Sequence, residues 1–184
     1  RLEISCGEAP YLVSRYDTTT GDTIPVERRI GLLDRKLRVV TENTKQADAW
    51  ISWSKKAVMS VYGYEWQGDN LLLARENVLL TYVDYYRNRF NGDNPSLELM
   101  REIAQIISWN LWQMDGLKFV VPSSCHETLS VDRDLFEERI IRTPCEGCST
   151  DDVYKHNGAY CMIRDWQKDE IISAVSLLGA DNDR

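Results

Sequence analysis

Ten residues, Val61-Tyr62-Gly63-Tyr64-Glu65-Trp66-Gln67-Gly68-Asp69-Asn70, constrain this chain more than any other stretch. They predict a short buried strand that ends on an acid and turns directly into a long helix, with Asp69 as the helix N-cap. In an open α/β sheet, ligands sit outside the carboxyl ends of the strands. A carboxylate placed there can accept hydrogen bonds from both vicinal hydroxyls of a ribose, because it is a two-oxygen acceptor. Glu65 is therefore the first candidate for a binding residue.

The surroundings fit such a sheet. Leu2 to Tyr11 predicts a strand that runs into a Cys6-Gly7 turn, where glycine lets the backbone turn tightly or approach a ligand. On its own, Gly7 reads as an ordinary strand-to-turn glycine. Thr23 and Pro25 predict the start of a helix that carries Ile30, Leu33, Leu37 and Val40 on one face. Arg28, Arg29, Arg35, Lys36 and Arg38 read as its solvated side. A second helix spans 46–60 with Trp50, Trp53 and Ala57 inward. The helix after Glu65 keeps its period through Leu72, Leu79, Tyr82 or Val83, Tyr86 and Phe90, and Asn91-Gly92-Asp93 ends it. Asn94-Pro95 opens another helix with Leu97, Met100, Ile103, Ala104 and Ile107 inward, and a strand around Leu111 then closes on Asp115-Gly116. Asp115 is a second strand-end acid, a position that a turn former also occupies.

A chain of 184 residues with 43% hydrophobic content supports one domain with a real core. No apolar run reaches membrane-spanning length. Charge excludes one class of reading: 22 basic against 29 acidic residues give −7, which does not suit a protein that grips a phosphate backbone alone. DNA, if it is bound, is expected through a partner subunit that carries much of the contact. The chain opens at Arg1 within an apparent strand, so a segment before Arg1 is expected. Five cysteines without a secretory signal fit a reducing, cytoplasmic setting, where clustered cysteines favour metal over disulfides.

From Pro122 the character changes, so the expected division is 1–121, 122–178 and a tail at 179–184. Cys145-Glu146-Gly147-Cys148 has the spacing that lets two thiolates bind one tetrahedral ion from a tight turn. Cys125 and Cys161 complete a four-ligand zinc set, with His126 and His156 as stand-ins. The competing reading is a set of reduced, buried cysteines that behave as small apolar residues. A redox pair fits less well, because the CxxC does not open a helix after a strand. Cys6 lies outside the cluster.

With these residues in hand, the chain resembles the adenine-specific DNA methyltransferases of restriction–modification systems, in particular short proteins of the subunit M type. Leu2-Glu3-Ile4-Ser5-Cys6-Gly7-Glu8-Ala9-Pro10-Tyr11-Leu12 is similar to the family's S-adenosylmethionine loop, Leu-Glu-Pro-(Ala/Ser)-Cys-Gly-x-Gly-x-Phe-Leu. Tyr62-Gly63-Tyr64-Glu65 resembles the motif whose acid holds the cofactor ribose. Asn110 to Leu117 resembles Asn-x-x-x-Gly-Asp-(Ala/Ser)-Leu, whose aspartate meets the adenine. The resemblance implies a Rossmann-like methyltransferase sheet with flanking helices, extended by a Cys-rich hairpin. It also implies cofactor contacts at Ser5, Cys6, Gly7, Glu8, Ala9, Tyr11, Glu65, Trp66, Asp115, Gly116 and Leu117.

The chain departs from that pattern in several places: Glu8 puts a negative charge near the methionine end, Pro10 follows Ala9, and two helices separate the loop from Glu65. Ala9 stands where the family has its second loop glycine. The tetrapeptide (Asn/Asp)-Pro-Pro-(Tyr/Phe), which holds a flipped adenine in that family, occurs nowhere in these 184 residues, so no catalytic residue is assigned. Three functions follow as expectations: a methyltransferase-like subunit, a cofactor-binding scaffold without activity of its own, or a zinc-stabilised interaction protein. A restriction–modification partner or a homo-oligomer fits each of them.

Overall fold

The computed structural model describes residues 2–17, 19–133 and 138–179. It divides into two compact units, 1–112 and 113–184. The first contains β1 (Leu2–Ile4), a 3₁₀ turn (Val26–Arg28), α1 (Leu32–Asn43), α2 (Ala47–Met59), β2 (Tyr62–Glu65), α3 (Gly68–Arg89) and α4 (Leu97–Asn110). β3 (Leu111–Gln113) follows at once and runs across the boundary. The strands form a small parallel sheet in the order β1-β2-β3, with helices between successive strands, as the expected α/β class requires. Leu2, Glu3 and Ile4 pair with Tyr62, Gly63 and Tyr64.

Gly63 is in β2 because the space is taken. A Cβ there would stand 3.0 Å from Leu111 Cδ2 and 3.1 Å from Cys6 Cβ. α4 passes directly into β3, and Asn110 makes that junction by donating Nδ2 to the carbonyls of Val58 and Val61, 2.9 Å each. These bonds tie the end of α2 and the start of β2 to the end of α4. Arg75 of α3 donates to the Leu111 carbonyl at 2.9 Å, which suits a cation at a helix C-terminus. Trp50 packs at 5.5–5.8 Å from the rings of Tyr82, Tyr86 and Phe90, with edge-to-face and tilted geometry.

Several helix details differ from the sequence reading. α1 starts at Leu32, well after Thr23 and Pro25, because Asp34 caps it from inside. Its Oδ2 accepts from the Gly31 N–H at 3.1 Å and from the Ser14 N–H at 2.7 Å. A Cβ on Gly31 would lie 2.5 Å from both Asp34 Oδ2 and the Leu12 carbonyl oxygen, so the loop closes onto the helix only with glycine. Gln67, not Asp69, caps α3; Asp69 sits in the first turn. Trp53, Leu72, Leu97 and Ala104 face outward, since the inward stripes run through Trp50, Ser54 and Ala57, through Leu71, Ala74 and Val78, and through Leu99, Ile103 and Ile106. Trp53 instead lies under the Lys56 ammonium, 4.5 Å from its ring. Arg29 is buried and not solvated, donating Nη1 to Asp84 at 2.8 Å and Nε to the Ile24 carbonyl at 2.9 Å.

The second unit contains two antiparallel hairpins. β4 (Thr128–Arg133) pairs with β5 (Glu138–Thr143), and β6 (Met162–Asp165) pairs with β7 (Glu170–Ser173). Between them lies a short helix, α5 (Glu146–Thr150), and a 3₁₀ turn (Ala174–Leu178) follows β7. In the sequence, Tyr160 to Trp166 alternates like a strand and Gln167-Lys168-Asp169 reads as a turn, so the second hairpin is expected. The first was not expected. Among the described residues, no helix is long and apolar enough to cross a membrane.

Asp34 carries a testable consequence. Burial pushes its carboxyl above the ordinary 3.8, against the opposing pull of the Ser14 and Gly31 donors and of Arg29. The folded state therefore holds this proton more tightly than the unfolded chain. Its contribution to stability is present below the unfolded value and is lost as pH rises through the folded one. Asp34→Asn should flatten the pH slope of stability just above pH 3.8. Asp34→Ala should cost about 2–4 kcal/mol by leaving buried N–H donors unpaired. Urea melts across a pH series check both.

Candidate functional site

Within the second unit, four side chains converge: Cys125, Cys145, Cys148 and His156. Their ligand atoms all lie within 4.8 Å of one another. His156 Nδ1 stands 3.6 Å from Cys125 Sγ, 3.7 Å from Cys145 Sγ and 3.6 Å from Cys148 Sγ. A tetrahedral zinc with ordinary Zn–S and Zn–N bonds has a sulfur–nitrogen edge of about 3.6 Å. The three measured edges match that shape, so this set can hold a metal ion such as zinc. Four protein ligands close the site, which makes it structural, not catalytic.

The local sequence explains the convergence. Contrary to the sequence reading, the CxxC does open a short helix after a strand: Cys145, just past β5, is the N-cap residue of α5 and Cys148 lies one turn in, so both sulfurs leave the same tight turn. Segment 152–157 folds back over them, held by Lys155 N–H to the Asp152 carbonyl and Gly147 N–H to the Lys155 carbonyl. A Cβ on Gly147 would meet His156 Nδ1 at 2.7 Å, and one on Gly158 would meet Cys125 Sγ at 3.0 Å. Both glycines are needed for these side chains to approach. The Asn157 N–H donates to Cys145 Sγ at 3.3 Å and draws that thiol down to about 6. Lys118 Nζ lies 3.6 Å from Cys148 Sγ. Its positive charge complements a centre of three thiolates and one neutral imidazole, whose net charge with Zn²⁺ is about −1.

Cys161, expected as the fourth ligand, lies outside the cluster. Its backbone is held in extended pairing, donating to the Phe119 carbonyl and accepting from the Ala174 N–H. The side chain is thereby turned to the Gln113 carbonyl, to which the thiol donates at 3.3 Å. Burial pushes this thiol up to about 11, so it stays a neutral, small core group. His156 takes the place that the spacing assigned to Cys161. His126 is the other stand-in, and its ring faces the Ser124 carbonyl at 3.4 Å. Lys118 carries no sequence signal that would have singled it out.

In the first unit, Glu65 is buried at the carboxyl end of β2. Its Oε2 accepts from the Gly7 N–H at 2.8 Å, and its Oε1 accepts from the Gln67 N–H at 3.2 Å. One lone-pair site remains on each oxygen. Ser5, Cys6, Gly7, Glu8 and Tyr11 line a cavity of about 1090 Å³, which also reaches Arg35 and Asn77. Glu65 and Trp66 are not in that lining; Glu65 meets it only through the Gly7 amide. Ala9 is fully buried and holds φ +65°, beside Gly7 at +52° and Ser5 at +59°. The expected glycine position thus keeps a glycine-like backbone, at a cost of about 1–2 kcal/mol for alanine. Burial, reinforced by Glu3 and Glu65, pushes the Cys6 thiol up to about 12. Tyr16 donates its hydroxyl to Glu8 at 2.8 Å, and Asn77 donates to that hydroxyl at 3.2 Å, forming a polar corner of the cavity.

Asp115, Gly116 and Leu117 belong to the second unit. Asp115 Oδ1 accepts from the Leu117 and Lys118 amides at 3.0 and 3.2 Å, the role of a turn former. Leu117 is exposed. No protein family, curated protein or solved structure matches this chain.

Protein purified without a metal-affinity tag should carry about one zinc per chain. His156→Ala should lose it and Cys161→Ser should keep it, as read by elemental analysis. Chelation should expose three fast-reacting thiols, with Cys6 and Cys161 slow to alkylate. Metal retained in His156→Ala and lost in Cys161→Ser would restore the all-cysteine set.

Proposed function

We propose that the chain binds S-adenosylmethionine as an adenine-specific DNA methyltransferase-like subunit of a restriction–modification system, on a Rossmann-like sheet. One observation carries this reading. The Glu65 carboxylate ends the central strand, accepts the Gly7 amide, and keeps two acceptor sites for a pair of vicinal hydroxyls. The same Gly7 turn lines a cavity at the upper end of the size range of cofactor sites. The half-exposed Trp66 offers an aromatic ring beside the acid for a nucleobase to pack on. The cofactor contact is assigned on Gly7 and Glu65; Asp115 is engaged as a turn acceptor and adds no independent support.

Methyl transfer depends on in-line placement of the sulfonium methyl and the accepting amine. These residues hold only the donor side. A base-holding Asn-Pro-Pro-Tyr type segment and the phosphate contacts, for which a net charge of −7 is unsuited, come from elsewhere in the assembly. The second reading, a metal-stabilised scaffold without activity of its own, is favoured by the closed Cys₃His cluster.

Calorimetry with S-adenosylmethionine tests the proposal. The wild-type chain should bind, and Glu65→Gln should weaken binding by about a hundredfold or more through the loss of charge-assisted hydrogen bonds. Far-UV circular dichroism should stay unchanged. Equal affinity in the variant would remove Glu65 from the site. Absent binding by the metal-loaded wild-type chain would leave the scaffold reading.

A further inference from the structure

The ribbon made by β4 and β5 has no core. Every residue of both strands is exposed, including Leu129, Val131, Ile140 and Ile141. An isolated two-stranded hairpin is marginal in water and gains stability from further strands. Among the described residues, β5 pairs with β4 on one edge and with no strand on the other. An exposed edge of this kind offers unpaired backbone groups to another strand, and its charges decide which strand can join.

The charges on β5 select which strand. Its sequence is Glu138-Arg139-Ile140-Ile141-Arg142-Thr143. Side chains alternate faces along a strand, so Glu138, Ile140 and Arg142 share one face. Antiparallel pairing of this strand with a copy of itself, centred on Ile140, sets Ile140 against Ile140. It also sets Glu138 against Arg142 on both sides. A register centred between Ile140 and Ile141 would set Arg139 against Arg142 instead, a like-charge opposition. The cross-strand partners of this face are Arg133, Val131 and Leu129. Glu138 already meets Arg133 at 2.9 Å, and Arg142 meets Glu127 at 3.7 Å. In the paired form each charge would gain a second opposite charge.

We propose that this edge is a self-association surface: two copies of the chain join β5 to β5, antiparallel about Ile140, into one four-stranded sheet. Leu129, Val131 and Ile140 from each copy then form a continuous apolar strip across the two-fold axis. The interface is isologous, as a two-fold pairing demands. This inference does not depend on cofactor binding.

Sedimentation equilibrium on the metal-loaded protein tests it. The wild-type chain should form dimers. Glu138→Arg creates two Arg–Arg oppositions, and Arg142→Glu creates two Glu–Glu oppositions. Each variant alone should associate at least about tenfold more weakly, since like charges directly opposite are destabilising. Mixing the two variants restores both Arg–Glu oppositions and should recover the wild-type affinity in a heterodimer. That recovery also shows that neither variant has lost its fold. A wild-type chain that stays monomeric at about 100 μM, weaker than any stable dimer, would overturn the proposal and assign the edge to a different protein. Unimpaired association in the single variants, or a mixture that fails to recover, would overturn the register.

Discussion

Three sulfurs and one ring nitrogen meet in a unit whose described residues bury few apolar side chains. Among the described residues of the second unit, the buried apolar side chains are Met114, Val120, Ile163 and Ala174, together with Cys145 and Cys161. That is too little to offset the ordering of some seventy residues, and small domains with thin cores need a metal or another staple. The cluster is placed where it does most. Cys125 comes before the first hairpin, Cys145 and Cys148 after it, and His156 before the second hairpin. One ion can therefore fix three chain segments, which also meet through the Gly147–Lys155 and His126–Asn157 hydrogen bonds.

The first unit solves the same problem with side-chain hydrogen bonds at its joints. Asp34, Asn110, Arg29 and Glu65 are all buried, and each accepts from or donates to backbone at a place where one element meets another. Asp34 closes the loop 14–31 onto α1, Asn110 joins α2 to α4, and Glu65 joins β2 to the turn after β1. An interior acid with backbone N–H partners is costly to bury and costly to remove. Such residues fix which elements meet, while Trp50, Tyr82 and Ile103 supply the bulk of the packing. Glu65 differs from the other three in its place at the carboxyl end of a sheet strand.

How far the sequence shows this depends on the range of the interaction that decides each feature. β2, α3 and α4 were legible because their patterns are local: a short apolar run, a period of 3.6, and Asn-Gly-Asp or Asn-Pro punctuation at their ends. The CxxC turn was legible for the same reason, since two ligands in four residues define a knuckle. The fourth ligand was not. Choosing between Cys161 and His156 depends on a fold-back of 152–157 and on two glycines, Gly147 and Gly158, that only make sense against a ring and a sulfur distant in sequence. The start of α1 was missed because its cap is Asp34, inside the helix, bonded to Ser14 from a separate loop. The β4–β5 ribbon was missed because neither strand buries a face, so there is no inside–outside alternation for a pattern to report.

That last point links the ribbon to the metal. Register in a strand pair is normally fixed by a buried face and is weakly specified without one. Here no face is buried, so the register must be set at the ends. Cys125 lies three residues before Thr128, and Cys145 lies two residues after Thr143, the residue that Thr128 opposes. An ion held by both cysteines would clamp the open end of the ribbon and favour that pairing. A slip of one residue would oppose Val131 to Ile141 and move Glu138 and Arg142 away from Arg133 and Leu129. A metal ion in the Cys₃His cluster would in this way help to set what the exposed edge presents.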